Sequence, residues 1–161
     1  MRVLLAYYSR TGSTAEFAEL IKSELVTRGA QVDEMRLFRA KERGFLISGY
    51  QGFTRAKPAI VPPAADVAGC DVVVLGFPTW AGRPASPFNS LVAGLKNPVG
   101  PRYALFATSG TPGGYRAGLD LAARDISALG GTMLCDTGLL GQDRDQMPAM
   151  ARQFALKILG S

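Results

Sequence analysis

Apolar and polar positions along the chain alternate between short apolar runs and longer stretches with apolar residues three or four apart. The runs at 2–8, 71–77 and 102–108 are apolar on both faces, which is typical of central strands in a parallel sheet. Two more strands are predicted at 31–37, where apolar and polar residues alternate, and at 132–140.

Helical spacing of apolar residues separates these strands. The predicted helices cover 13–28, a stretch starting at an N-cap Ser86 with Pro87 next, a stretch around 119–126, and a last stretch capped by Asp145. The β-α-β-α alternation predicts an α/β fold, with a doubly wound, five-stranded parallel sheet in the order 2-1-3-4-5. No linker or repeat interrupts residues 1–161, so we expect one domain.

Composition removes several kinds of chemistry. The 161 residues contain no histidine, which excludes the usual general base and the Ser–His and Cys–His nucleophile pairs. The two cysteines, Cys70 and Cys135, lack metal-ligand spacing, and the strand order separates them by strand 4, so we expect free thiols and no metal site. Chemistry is therefore expected from a bound cofactor.

The charge pattern indicates neither a nucleic-acid surface nor a membrane protein. The net charge is +5, but the basic residues are scattered rather than run together. No apolar run approaches the roughly 20 residues of a membrane helix. The first residues lack a cleavage site of small residues, so a cytoplasmic location is expected.

Three loops should meet where the strand order reverses. In the order 2-1-3-4-5, a ligand is expected beyond the carboxyl ends of strands 1 and 3, with strand 4 adjacent. The loops there are SRTGST (9–14), PTWAGRP (78–84) and SGTPGGY (109–115). They concentrate glycine, proline, hydroxyl and aromatic residues, so we expect them to form one ligand site.

The first loop predicts a phosphate site. It opens a helix, whose unpaired N–H groups and dipole favour an anion. Gly12 allows close approach, and the surrounding hydroxyls add donors, although an ordinary helix cap would use one of them. The chain has neither GxxxxGK[ST] nor GxGxxG, so neither a nucleoside triphosphatase nor a dinucleotide site is indicated.

The other two loops predict a site for a flat ring. Trp80 could stack on a planar ring or pack on the domain surface, and Tyr115 could cover the ring's other face or face solvent. A phosphate at one loop and a ring at two others fit FMN. The predicted cofactor-binding residues are Ser9, Arg10, Thr11, Gly12, Ser13, Thr14, Pro78, Thr79, Trp80, Ala81, Gly82, Ser109, Gly110, Thr111, Gly113, Gly114 and Tyr115.

These motifs resemble the flavodoxin family in its short form, over essentially the whole chain. YSRTGST resembles the family's phosphate loop, although members often have asparagine where Ser13 stands. PTWAG (78–82) and TSGTPGG (108–114) resemble its two flavin-ring loops. The resemblance implies a flavodoxin-like three-layer sandwich that binds FMN non-covalently and transfers electrons through it, with no catalytic side chain of its own.

Two features depart from electron-carrier flavodoxins, which are generally acidic. The three loops contain no Asp or Glu but contain or adjoin Arg10, Arg83 and Arg116, which should raise the reduction potential and attract anionic partners such as NADPH. The second departure is the long, glycine- and proline-rich stretch 38–66, with FLISGYQGF in its middle. It could overhang the flavin, form a homodimer contact or cover a sheet face.

Three functions are open. The favoured one is an electron carrier that exchanges electrons with a redox partner protein. Whether the protein is also an enzyme is left open. The second is an NAD(P)H-dependent quinone or flavin reductase, or a quinone-linked dehydrogenase of an acidic substrate, on the same scaffold. The third is a module that keeps the fold, binds no flavin and acts by protein contact.

Overall fold

The computed structural model describes residues 1–40 and 57–160, so FLISGYQGF lies outside the described residues. The helices are α1 (Ser13–Thr27), α2 (Ser86–Ala93), α3 (Gly114–Ala128) and α4 (Met147–Leu159) in this part of the chain. Its strands are β1 (Arg2–Tyr8), β2 (Gln31–Arg39), β3 (Ile60–Val61), β4 (Ala65–Asp66), β5 (Val72–Trp80), β6 (Arg83–Pro84), β7 (Leu95–Lys96), β8 (Arg102–Ser109) and β9 (Thr132–Leu140).

The five long strands form a parallel sheet in the order β2-β1-β5-β8-β9, which confirms the predicted order 2-1-3-4-5. Two short strands join it antiparallel, β3 on the outer edge of β2 and β6 at the end of β5. Strands β4 and β7 pair separately. The register aligns β5 with β8 up to Thr79 and Ser109, so the loops after these strands begin side by side.

Two hydrophobic cores lie on opposite faces of the sheet, as alternating strand side chains require. Leu4, Ala6 and Tyr8 of β1 belong to the core that includes residues of α2 and α3. Val3, Leu5 and Tyr7 belong to the core that includes residues of α1 and α4. The continuous apolar runs thus arise because the central strands are covered on both sides.

Two predicted helix caps are wrong. Ala85, not Ser86, is the N-cap of α2, and Ser86 is already its first helical residue. For α4 the N-cap is Gln146, in helical geometry and without a side-chain cap hydrogen bond, so Asp145 does not cap it. The cause is a hydrogen-bonded turn just before the helix, in which the Gln146 N–H donates to the carbonyl of Asp143. The chain therefore enters α4 from a turn rather than from extended backbone.

Both cysteines are free, as the strand order implies. Cys70 precedes β5 and Cys135 lies within β9, with β8 between these strands. Burial raises the pKa of the Cys135 thiol to about 11. None of the helices in the described part of the chain has the length and apolar character needed to span a membrane.

Candidate functional site

A cavity of about 510 Å³ lies beyond the carboxyl ends of β1, β5 and β8, where the strand order reverses. Such a volume is in the range of small-molecule sites. Four loops contribute to its wall. The described residues that line it are Arg10, Thr11, Ser13, Pro78, Thr79, Trp80, Ala81, Gly82, Thr108, Ser109, Gly110, Thr111, Gly141 and Gln142.

Most of the predicted site residues come together in this wall. The three predicted loops are all represented, which agrees with the expected convergence at the point of strand reversal. Six of the predicted residues are not among the lining residues. These are Ser9, Gly12, Thr14, Gly113, Gly114 and Tyr115.

The first loop leaves the start of α1 open to a ligand. Gly12 is the N-cap residue, with φ of +103°, and no side chain caps the helix. The left-handed backbone favours glycine at this position. The first N–H groups of a helix lack intrahelical partners, so this helix start can bind an anion. The described part of the chain also offers no hydrogen-bond partner to the buried Ser9 hydroxyl.

Thr14 is engaged elsewhere. Its side chain is 2% exposed, and its hydroxyl lies 2.7 Å from the hydroxyl of Thr108 near the end of β8. Either hydroxyl can donate in this pair. The contact fixes the first turn of α1 to the strand that carries the third loop.

Trp80 ends β5 at a tight hairpin. Ala81 and Gly82 both have positive φ, the pattern of a type I′ turn, and Trp80 pairs with Arg83 of β6. The ring of Tyr8 stands perpendicular to the Trp80 ring with centroids 6.2 Å apart. The backbone hairpin and this neighbouring ring fix the aromatic wall of the cavity.

The third loop is held by its own hydroxyl. Ser109 Oγ donates to the Thr111 carbonyl at 2.9 Å and accepts from the Thr111 N–H at 3.1 Å. This turn gives the loop a defined shape before α3 begins. Gly110 and Thr111 are exposed and line the cavity, so their remaining backbone groups can face a ligand.

Tyr115 and Arg116 lie outside the cavity wall. Tyr115 packs on Gly138 of β9, where a Cβ would overlap its ring. The Arg116 guanidinium donates to both carboxylate oxygens of Asp136, at 2.8 and 2.9 Å, and also pairs with Asp120. These bonds from Arg116 hold the pKa of Asp136 below its ordinary value. The positive charge that Arg116 was predicted to add beside the loops is offset by these two carboxylates, and Arg116 is not among the residues that line the cavity.

Sequence reasoning missed the lining residues Gly141 and Gln142, and it included Thr108 only within the loop TSGTPGG, not among the predicted cofactor-binding residues. Gly141 and Gln142 follow β9, an edge strand that the order places away from the reversal point. The Gly141 N–H donates to the Ser109 carbonyl at 2.8 Å, and a Cβ on Gly141 would lie 3.0 Å from Ser13 Oγ. A glycine directly after the last strand was the available signal.

The described side chains in the cavity wall carry charge of one sign, which is positive. Arg10 is the only ionisable side chain among the described residues that line the cavity. Residues 1–40 and 57–160 contain no cluster of three or more His, Cys, Asp or Glu side chains arranged to hold a metal ion. The wall thus combines a helix start without a side-chain cap, one cation and an aromatic ring.

Comparisons with known proteins give the same architecture. No model of a protein family and no curated protein sequence matches the chain. Oxidised flavodoxin 1 from Bacillus cereus is similar at a TM-score of 0.68 and 16% identity, over 99% of this chain and 98% of that chain. Two-electron reduced Megasphaera elsdenii flavodoxin is similar at 0.61 and 20% identity, over 95% and 98%.

An NADH:FMN oxidoreductase in its apo form is also similar, at a TM-score of 0.64 and 16% identity, over 97% of this chain and 89% of that chain. Identities of 16% to 20% do not carry function over, because one fold hosts many functions. TM-scores of 0.61 to 0.68 over nearly the whole chain establish the shared architecture. The chain therefore has a flavodoxin-like fold.

Proposed function

We propose that the protein binds FMN non-covalently in this cavity and transfers electrons through it. The observation that carries the proposal is the cavity itself, which joins the uncapped start of α1 to the ring of Trp80. The ends of FMN differ in the same way, with a phosphate at one end and a flat heterocycle at the other. The similarity to the flavodoxins from Bacillus cereus and Megasphaera elsdenii supports the same cofactor.

The phosphate end of the proposed ligand fits the first loop. The N–H groups at the start of α1 would donate to phosphate oxygens, helped by the helix dipole. Ser9 provides a buried hydroxyl that the described part of the chain leaves without a hydrogen-bond partner, which suits a ligand oxygen. Thr11 and Ser13 line the cavity beside it. These donors are neutral, so Arg10 supplies the only charge from a side chain in the described wall.

The ring end of the proposed ligand fits Trp80 and the third loop. Trp80 offers an aromatic surface held by its hairpin, and backbone groups of the third loop can bond a heterocycle edge. FMN supplies the redox chemistry when bound, because its ring system accepts and releases electrons. The chain's own residues would bind and orient the ring and exclude water from one side of it.

The charge of the wall favours an electron-rich ligand. With Arg10 present and no carboxylate among the described lining residues, negative charge gained on reduction would be stabilised. We therefore expect a higher reduction potential than in flavodoxins with carboxylates around the ring. The same cation would attract anionic partners such as NAD(P)H.

A second candidate is a reductase on the same scaffold, with NAD(P)H as donor and a quinone or free flavin as acceptor. The similarity to an NADH:FMN oxidoreductase and the cation in the wall favour it. Steady-state turnover with NAD(P)H and a quinone separates the two functions. A carrier should give almost no turnover without its partner protein, whereas a reductase should turn over repeatedly.

The test of FMN binding uses two glycines that both have positive φ. Gly12, with φ of +103°, and Gly29, with φ of +85°, stand at opposite ends of α1, and a Cβ at either would meet no atom within 4 Å. Replacing each by alanine therefore adds left-handed strain of roughly 1–2 kcal/mol without a clash. Both variants should lose similar stability in denaturant unfolding.

Only the Gly12→Ala variant should lose FMN. The protein is saturated with FMN, desalted and examined for retained, shifted flavin absorption, and its dissociation constant is measured by fluorescence titration. We expect wild type and Gly29→Ala to retain the cofactor and Gly12→Ala to bind at least about tenfold more weakly, a change of about 1.4 kcal/mol. Complete loss of flavin from the wild type would contradict the proposal and favour the non-redox module.

A further inference from the structure

A buried arginine stands behind the aromatic wall of the cavity. Arg39, the last residue of β2, is 6% exposed and is not among the lining residues. Its guanidinium lies over the Trp80 ring, 5.5 Å from the centroid. One of its nitrogens donates to the hydroxyl of Ser86, the first residue of α2. Burying a charged group is costly, and contacts such as these help to offset its desolvation.

We propose that Arg39 is a positioning residue that fixes the Trp80 ring in the cavity wall. Trp80 is then held from β2 by Arg39 and from β1 by Tyr8, while its remaining surface lines the cavity. The consequence for FMN rests on the proposed function, but the holding of the ring does not. A ring already fixed before binding loses less side-chain freedom when a ligand stacks on it.

The guanidinium suits this task because it can make two contacts at once. Its central carbon lies over the indole, 5.5 Å from the ring centroid, and one of its N–H groups donates to the Ser86 hydroxyl. A lysine ammonium keeps the charge but has no planar face, so it cannot stack and donate in the same way. Arg39→Lys therefore tests whether a positive charge alone is enough to hold the Trp80 ring.

The same strand provides a matched control. Arg36 of β2 lies over the ring of Phe38, 5.3 Å from its centroid. Neither residue is among those lining the cavity, and Phe38 is 53% exposed. Arg36→Met thus removes a similar cation–aromatic contact from β2 without touching the cavity wall.

The experiment measures Trp80 directly. Trp80 is the only tryptophan of the chain, so acrylamide quenching of the flavin-free protein reports on this ring alone. We expect the Stern–Volmer constant to rise about twofold in Arg39→Met, because the ring loses a contact that limits its access to the quencher. Arg39→Lys should not restore the wild-type value, and Arg36→Met should match wild type.

FMN titration supplies the second measurement. Because an unheld ring must be ordered on binding, we expect Arg39→Met to weaken FMN binding roughly two- to tenfold, with Arg36→Met unchanged. If Arg39→Met does not fold by circular dichroism, Ser86→Ala removes the orienting hydrogen bond and must raise the quenching constant instead.

Two outcomes would overturn the inference. One is unchanged quenching in the folded Arg39 variants, or in Ser86→Ala if those variants do not fold. The other is an equal increase in Arg36→Met, which would indicate a general loosening of β2. If wild-type protein binds no FMN, the proposed function fails, but the quenching result still decides the role of Arg39.

Discussion

Thr14→Val breaks a buried hydroxyl pair while preserving the shape of the side chain. Thr14 and Thr108 are 2% and 3% exposed, and their hydroxyl oxygens lie 2.7 Å apart. Valine has similar helix propensity, so the substitution should leave α1 intact. Its main effect is to leave the Thr108 hydroxyl buried without this partner.

The expected loss follows from that unpaired group. An unsatisfied buried hydroxyl costs about 1–3 kcal/mol, and the added methyl regains up to about 0.8 kcal/mol of apolar burial. We therefore expect Thr14→Val to lower the free energy of unfolding by about 1–2 kcal/mol. For a chain of this size, the melting temperature should fall by about 3–6 °C.

A double-mutant cycle tests the cause. Thr14→Val/Thr108→Val leaves neither hydroxyl unpaired, so it should cost less than the sum of the single variants by about 1 kcal/mol. The assay is urea unfolding of the flavin-free protein followed by circular dichroism. Thr11→Val, an exposed threonine of the same loop, is the control and should stay within about 0.5 kcal/mol of wild type.

Additive single effects would refute this reasoning, as would a neutral Thr14→Val. Either result would mean that the two hydroxyls do not depend on each other in the folded protein. Since the Thr14 hydroxyl is engaged with β8, its removal should act on stability more strongly than on FMN affinity.

Three further outcomes are expected. Gly76→Ala should destabilise the protein by about 1–3 kcal/mol in urea unfolding, because its Cβ would overlap the fully buried Phe106 ring; a neutral result would show that the ring can move. Asp136→Asn should cost less than about 1 kcal/mol at neutral pH, because Arg116 is 49% exposed. Arg116 lowers the pKa of Asp136 in the folded protein, so the ion pair stabilises the fold at pH values above the unfolded pKa of about 3.9. This stabilisation is lost as the pH falls through the folded pKa, and the melting temperatures of wild type and variant should therefore converge in acid. Arg10→Gln should weaken FMN binding by about fivefold and reduce its salt dependence in fluorescence titrations, and an unchanged salt dependence would exclude Arg10 as a source of attraction.

The sequence predicted the sheet because strand identity is a local property. The run at 71–77 has apolar residues on both faces, and both faces can be buried only if a layer of helices covers each side of the strand. The helical stripes between the runs supply those layers, and chain alternation then restricts the order of parallel strands. The three loops followed, because the carboxyl ends of parallel strands share one edge.

Tertiary structure decided the details that depend on contacts between distant segments. Aspartate is a common helix-capping residue, but at Asp145 a turn closed by backbone hydrogen bonds determines how the chain enters α4. Tyr115 of α3 packs on Gly138 of β9, and no local pattern in the sequence reveals this contact. Gly141 joins the cavity through one hydrogen bond to Ser109.

Arg39 shows the same division most clearly. By itself it is one basic residue among the 18 lysines and arginines of the chain. Only the packing of β2 beside β1 and α2 places its guanidinium over Trp80 and against Ser86. Hydrophobic periodicity determined which segments pair and which faces are buried, whereas the wall of the cavity was decided by side chains that meet across strands far apart in the sequence.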